Sequence, residues 1–340
     1  MASDKRILAE CAKGYKLQTR TQLYSNLIYD QVVFCDRANG SDGNTGEDWD
    51  HAVKTINGAV DKFYGGVRDA ARGRLYAIIF RSRLTGGNAF TATEGQQVIN
   101  IPGVHLIGAG SIYGDGGGWD SCFVTNSTYM DSEAHLSGIG AARVGLLTEN
   151  DNILVTGLKF YCSDETNAMW HVAIHDYDQT ESSGNSGRNV QVLNCHFQGD
   201  VDGTAQINGV GVDGGEACSV IGCRFQYTHI GIKFAGGGVR YANQCIFQDN
   251  VAIGNKYGIQ GGNASATDNL IKDNYVVAKG SYGWAITYGI DGANSSTDNM
   301  YVNNYVGHAT EATAFNYGTG NFWINNYHCG SGGTLGNPDA

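Results

Sequence analysis

Between Asn152 and Cys329 hydrophobic and polar residues alternate in short stretches, and one phrase recurs seven times. It reads Asn-Ile-Leu-Val-Thr-Gly-Leu-Lys-Phe at 152 to 160, Asn-Val-Gln-Val-Leu-Asn-Cys-His-Phe at 189 to 197, and Ala-Cys-Ser-Val-Ile-Gly-Cys-Arg-Phe at 217 to 225. Weaker copies end on Phe247, Val276, Val306 and His328, so the unit is 22 to 37 residues long. Units of that size stack into solenoids. The period inside the phrase is two, that of a strand: Val190 and Val192 alternate with polar residues, a bend falls at Asn194, and Cys195 and Phe197 resume the alternation. After each phrase comes a further strand, including Ala-Ile-His at 173 to 175, Gly-Val-Asp at 211 to 213, Gly-Ile-Lys at 231 to 233 and Gly-Ile-Asp at 289 to 291. Strand, bend, strand, loop, strand is one coil of a parallel β-helix.

Coils about 4.8 Å apart turn every column of this alignment into a ladder. The inward row after the bend is predicted to run Leu158, Cys195, Cys223, Cys245, Asn274, Asn304 and Asn326. Thiols give way to asparagines, which pass amide hydrogen bonds from rung to rung. Here the chain resembles the right-handed parallel β-helix superfamily of pectate-lyase-like proteins, whose coil phrase Asn-x-Ile-x-Asn-Asn-x-Val is clearest at 268 to 276 and 298 to 306. Within that superfamily it is most similar to the β-helical decoration and tailspike-like proteins of phage virions. The resemblance covers roughly residues 32 to 329 and implies an all-β, single-stranded parallel β-helix. That scaffold hosts enzymes and inert structural proteins alike.

Composition agrees. A chain of 340 residues, 41% hydrophobic and 16% charged, is able to bury a large core. Fifty glycines against two prolines, with no every-third-residue period, exclude collagen and punctuate turns instead. A net charge of -11 speaks against binding a nucleic-acid backbone. No apolar run is long enough to span a bilayer, and Met1 to Lys16 lacks the apolar core of a signal peptide. Nine cysteines are an odd number without close metal-type pairs; Cys195, Cys223 and Cys245 read as buried apolar side chains ahead of disulfides or a zinc site, and hence as folding in a reducing host cytoplasm.

Four segments are expected. Residues 1–31 form an arm whose Ile7, Leu8, Cys11, Leu27 and Ile28 either pack on the β-helix or dock onto another protein. Residues 32–75 supply a strand, an Asn-Gly-Ser-Asp loop and a helix from Trp49 to Tyr64, capped by Asp48 or Asp50, with Val53, Ile56, Val60 and Phe63 as its apolar stripe. That helix covers the open first coil, whose strand edges and interior need a cap. Asp36, Asn39, Asp42 and Asn44 offer oxygens to calcium, but the spacing of a calcium-binding helix-loop-helix is absent and a plain turn is the expectation, with no cofactor. Residues 76–329 form the β-helix, its first coil using Tyr76 to Phe80 and Val104 to Ile107, and 330–340 a Gly-rich tail. The glycines at 114 to 118 lack the flanking strand and helix of a nucleotide loop.

Two outward rows carry the candidate chemistry. One is His175, Asp213, Lys233, Gln260, Asp291 and Asn316. The resemblance implies lyases that abstract a sugar-ring proton with Lys or Arg while carboxylates hold calcium, which casts Lys233 as base and Asp213 as calcium ligand beside His175. The plainer reading is a polar outer face. Hydrolases of the superfamily use adjacent aspartates and Arg-x-Lys, neither of which is present, so a paired-carboxylate site would need Asp200, Asp202, Asp213 and Glu216. His171 and His175 lie roughly 13 Å apart along a strand, too far to share a metal ion. The other row is Lys159, His196, Arg224, Ile246, Tyr275, Tyr305 and Tyr327, whose tyrosines suit a subunit contact, glycan stacking or plain packing under a loop. Three functions are in play: a phage virion component, attached to capsid or tail by its arm and trimeric; a polysaccharide lyase or glycoside hydrolase; and a non-catalytic binder of bacterial surface glycan. The missing catalytic motifs favour the first.

Overall fold

The computed structural model describes residues 29–63, 74–81, 97–108, 122–125, 143–148, 150–162, 169–174, 188–198, 207–213, 215–234, 242–261, 266–277, 287–292, 297–307, 311–329 and 335–336. They form three sheets of ten, nine and eight strands. In the ten-stranded first sheet each strand pairs in parallel with the corresponding strand of the next coil: Gln31–Cys35, Tyr76–Phe80, Val104–Gly108, Leu154–Thr156, Gln191–Leu193, Ser219–Ile221, Ile246–Gln248, Leu270–Lys272, Met300–Val302 and Phe322–Ile324. The second sheet follows one bend later, from Cys122–Thr125 to Tyr327–Cys329, and the third runs from Gln97–Ile99 to Phe315–Asn316. This is a parallel β-helix of ten coils. Among the described residues one antiparallel pair sets Leu335–Gly336 against Tyr327–Cys329 at the last coil. Tyr76–Phe80 and Val104–Gly108 are neighbours within the first sheet. They therefore belong to successive coils, not to one first coil as their spacing suggested, and Gln31–Cys35 starts the stack.

The bends explain the Asn and Asp that punctuate the phrase. Between first and second sheets Asn194, Asp249, Asp273, Asn303 and Asn325 take φ of 51 to 55°, and before the first sheet Asn152, Asn189, Asp268 and Asp298 take 56 to 59°. That left-handed conformation is strained for most L-residues but reached by Asn and Asp, whose short polar side chains bond locally. Glycine fills a different need at the third sheet. A Cβ on Gly258 would stand 2.7 Å from the Gly289 carbonyl oxygen and from both Val276 methyls, so the Gly-Ile signature marks a corner where two sheets meet too closely for a side chain.

One coil departs from the predicted alignment. Phe247 pairs with Val220 and Ile271 in the first sheet, and Ala252, not Phe247, lies beside Phe225 in the second. Cys-x-Phe at 245 to 247 mimics the same triplet at 195 and 223, but the large ring has changed sheets: the preceding coil pairs small Val220 with large Phe225, and this one large Phe247 with small Ala252. Upstream, Phe160, Phe197 and Phe225 stack with centroids 4.9 and 4.8 Å apart and planes within 9°.

This shift resolves two amide ladders where one was expected. After the bend the inward row is Leu158, Cys195, Cys223, Asn250, Asn274, Asn304 and Asn326. Each asparagine Oδ1 from Asn274 onward accepts both the backbone N–H and the Nδ2–H of the rung before it, at 2.9 to 3.1 Å. The Nδ2 groups of Asn250, Asn274 and Asn304 donate in addition to the carbonyls of Val220, Phe247 and Ile271. Before the first sheet a parallel row runs Cys218, Cys245, Asn269, Asn299 and Asn321, with Cys245 N–H, Asn269 N–H and Asn299 N–H each donating to the next Oδ1. Cys245 belongs to this row and not to that of Cys195 and Cys223.

The N-terminal cap is shorter than its pattern. Helix α1 spans Ile56–Lys62 and starts at Thr55, whose Oγ1 accepts from Gly58 N–H at 2.8 Å. Asp48 caps a separate turn, accepting from Asp50 N–H and His51 N–H, and Asp42 pins the N–H groups of Lys54 and Thr55, so the helix cannot begin at Trp49. The stripe Val53, Ile56, Val60 and Phe63 is buried as expected, with Phe63 against Tyr76 at 4.5 Å. Gln97 of the third sheet accepts from Ile56 N–H at 2.9 Å, tying helix to coil end. The loop acids serve the turn: Asp36 accepts from Ala38 and Asn39 N–H and pairs with Arg81 at 3.1 Å. Replacing Thr55 by Ala removes this cap and is expected to cost about 1 kcal/mol of stability, read as a shift in urea midpoint. Among the described residues no helix is long and apolar enough to cross a membrane.

Candidate functional site

On the third sheet the predicted polar row is realised for most of its length. Asp213 pairs with Lys233, Lys233 with Gln260, Gln260 with Asp291 and Asp291 with Asn316. Ala173, not His175, stands beside Asp213, because Val172 and not Ile174 registers with Val212. A two-residue slip leaves every side chain on its original face, so alternation alone could not detect it. His175 lies outside the described residues, as do Ile7, Leu8, Leu27, Ile28, Asp200 and Asp202. Glu216 sits beyond the strand in the next turn, where its Oε2 accepts from Arg188 Nε at 2.9 Å. The structure thus brings Asp213 and Lys233 onto adjacent coils and sets Glu216 apart from them.

Downstream the same face carries a tighter cluster. Asp291 is only 3% exposed, and its Oδ1 accepts from Asn316 Nδ2 at 2.9 Å. Lys256 lies 5.9 Å from the centre of the Tyr257 ring, and His229 meets that ring edge-on at 5.7 Å. Burial, and after it the charge of Asp291, raises the Tyr257 phenol. Burial likewise lowers His229 to about 4, so at neutral pH its imidazole is uncharged.

The second sheet's outward row is Lys159, His196, Arg224, Val251, Tyr275, Tyr305 and Tyr327. Val251 takes the place expected for Ile246, in consequence of the register of that coil. The three tyrosines fall on consecutive coils as predicted, with Tyr275 and Tyr305 stacked at 5.0 Å and 4°. Ile246 instead heads a first-sheet row continued by Leu270, Met300 and Phe322, with Val302 and Ile324 alongside. Among the described residues, all six large apolar side chains that are most exposed lie on these two sheets: Ile246, Tyr275, Met300, Phe322, Ile324 and Tyr327, at 36 to 56%. All belong to the last four coils. The first-sheet row went unnoticed in the sequence, although Met-Tyr-Val at 300 to 302 and Phe-Trp-Ile at 322 to 324 signal it: their alternation is lost because both faces are apolar.

In the same second-sheet row His196 is buried between Lys159 and Arg224, its Nε2 2.8 Å from Gln226 Oε1. Burial, then the two cations, lowers it to about 4, and burial lowers His105 equally. The unfolded chain takes up these protons below its ordinary value of about 6.5 and the folded chain does not. Stability is therefore complete above pH 6.5 and falls as pH drops towards 4, by roughly 2 kcal/mol for each of the two groups at pH 5. Urea midpoints between pH 7 and 5 should fall, and should fall less in a His105→Gln/His196→Gln double variant. Equal slopes in the two proteins would contradict the assignment.

No protein-family model matches the chain, and no curated protein sequence does. Among solved structures the chain is similar to a GH136 lacto-N-biosidase from Eubacterium ramulus, at 12% identity over 90% of this chain and 69% of that one, with a TM-score of 0.38. It is similar to ORF18 of Geobacillus virus E2 at 12% identity over 77% of this chain and 55% of that one, TM-score 0.28. A mannuronan C-5 epimerase A-module from Azotobacter vinelandii matches at 14% identity, over 77% and 92% of the two chains, with a TM-score of 0.17.

Proposed function

We propose that the chain is a structural component of a bacteriophage virion, a decoration, fibre or tailspike-like protein in which the β-helix is a rigid mount for contacts made by its outer faces. The observation that carries this reading is the position of the exposed apolar side chains: they gather on the first and second sheets of the last four coils, in register from rung to rung. Such a patch suits a lasting protein contact better than a dissolved, solitary enzyme. The ladders supply stiffness, since every late coil is bonded to the next by backbone and side-chain amides. On this reading residues 1–31 attach the chain to capsid or tail, assembly takes place in the host cytoplasm, and the oligomer is a homotrimer.

The catalytic alternative has a direct test. Incubating the full chain with purified bacterial surface polysaccharide should leave both its length and its reducing ends unchanged. New ends that vanish in an Asp213→Asn or Lys233→Ala variant would make it a polysaccharide-cleaving enzyme. A non-catalytic glycan contact is favoured by one feature, the parallel Tyr275 and Tyr305 rings, which offer apolar area with polar tips to a sugar face.

A further inference from the structure

Two different apolar strips meet along one ridge of the solenoid. The first-sheet strip is Ile246, Leu270, Met300 and Phe322, and the second-sheet strip is Tyr275, Tyr305 and Tyr327; the bend residues Asp249, Asp273, Asn303 and Asn325 separate them. Both strips repeat once per coil, at about 4.8 Å. We propose that each strip is docked by the other strip of a second copy of this chain lying parallel and in register, so that every protomer gives its first-sheet row to one neighbour and its tyrosine row to the next.

Two observations choose this occupant. The first is spacing. A row of large side chains at the coil repeat is matched rung for rung by a surface with the same repeat, which a parallel copy carries by construction, whereas a partner of irregular shape would fill only some of the gaps. The second is charge. The chain has a net charge of -11, yet among the described outward positions of these two sheets from Ile246 onward the one charged residue is Lys272, already 3.3 Å from Asp273 of the adjoining bend. Earlier coils carry Lys159 and Arg224 on the same second-sheet row. The strips themselves are therefore nearly free of charge and suit an apolar surface such as the other strip, while Asp249, Asp268, Asp273 and Asp298 lie in the bends at their margins. Because the two strips differ in residue type, pairing one with the other is heterologous: it builds a ring when the rotation closes.

The inference rests on the structural reading above and names its partner. Two exposed-residue variants separate it from the alternatives. Met300→Asp/Phe322→Asp spoils the first-sheet strip, and Tyr275→Asp/Tyr327→Asp spoils the second; all four side chains are 39 to 56% exposed, and circular dichroism with a melting curve confirms that each variant folds. By sedimentation equilibrium the wild type should weigh a whole multiple of its 36.3 kDa chain mass, and each variant alone should weigh one chain. Mixed in equal amounts the two variants should form a species of two chains, because one intact strip of each kind remains to make a single joint. Variants that keep the wild-type mass, or a mixture that stays at one chain, would overturn the heterologous docking. A wild type of one chain that is nevertheless found on purified particles would overturn it too, while leaving the virion reading intact; a monomer absent from particles removes both.

Discussion

Replacing Asn304 with leucine is expected to destabilise the chain by about 3 to 6 kcal/mol, close to the whole margin of an ordinary domain. The side chain is fully buried and works in both directions. Its Oδ1 accepts Asn274 N–H at 3.1 Å and Asn274 Nδ2–H at 2.9 Å, while its own Nδ2 donates to Ile271 O and to Asn326 Oδ1, each at 2.9 Å. Leucine has similar bulk, so no cavity forms. It leaves a backbone N–H wholly without an acceptor, at roughly 1 to 3 kcal/mol, and weakens three further buried groups at about 1 kcal/mol each. Urea or thermal unfolding followed by circular dichroism reads the effect. A change below 1 kcal/mol would mean that the asparagine ladder is incidental to the stability of the stack.

Truncating Phe197 to alanine is the second large effect, an expected loss of about 3 to 5 kcal/mol. This ring lies between Phe160 at 4.9 Å and Phe225 at 4.8 Å, nearly parallel to both, and is fully buried. Stacked coils hold the backbone at fixed spacing, so the walls of the resulting hole cannot close on it, and the cost lies towards the upper end of the range. Phe197→Leu, which refills most of the volume, should recover more than half of the loss. Comparable melting temperatures for Phe197→Ala and wild type would place the stabilising core elsewhere.

Much of this architecture was legible in the residues because a β-helix writes each interior column as a repeat. Period two identified strands, the left-handed bends appear as Asn and Asp, and the corner glycines appear as Gly-Ile. What alternation cannot resolve is a slip that preserves the face. Phe247 was assigned to the wrong sheet because Cys-x-Phe at 245 to 247 copies the earlier triplets, and three-dimensional continuity, with Asn250 stacked on Asn274, overrules the local likeness. His175 was misplaced beside Asp213 for the same reason. The start of helix α1 was missed because Asp42, thirteen residues before Thr55, holds the chain there, a contact that no local pattern records. Of the candidate surface the tyrosine row was visible and the Ile246, Met300, Phe322 row was not. A strand apolar on both faces reads as a deeply buried one until the fold shows that one of its faces has nothing above it among the described residues.

The composition of purified phage particles, measured by quantitative mass spectrometry after banding on a density gradient, tests the structural role most directly. A structural role predicts the full chain in the particle band at a fixed ratio to the capsid or tail proteins, unchanged by a high-salt wash. A chain absent from particles, found free and shortening surface polysaccharide, would contradict it and return attention to Asp213 and Lys233.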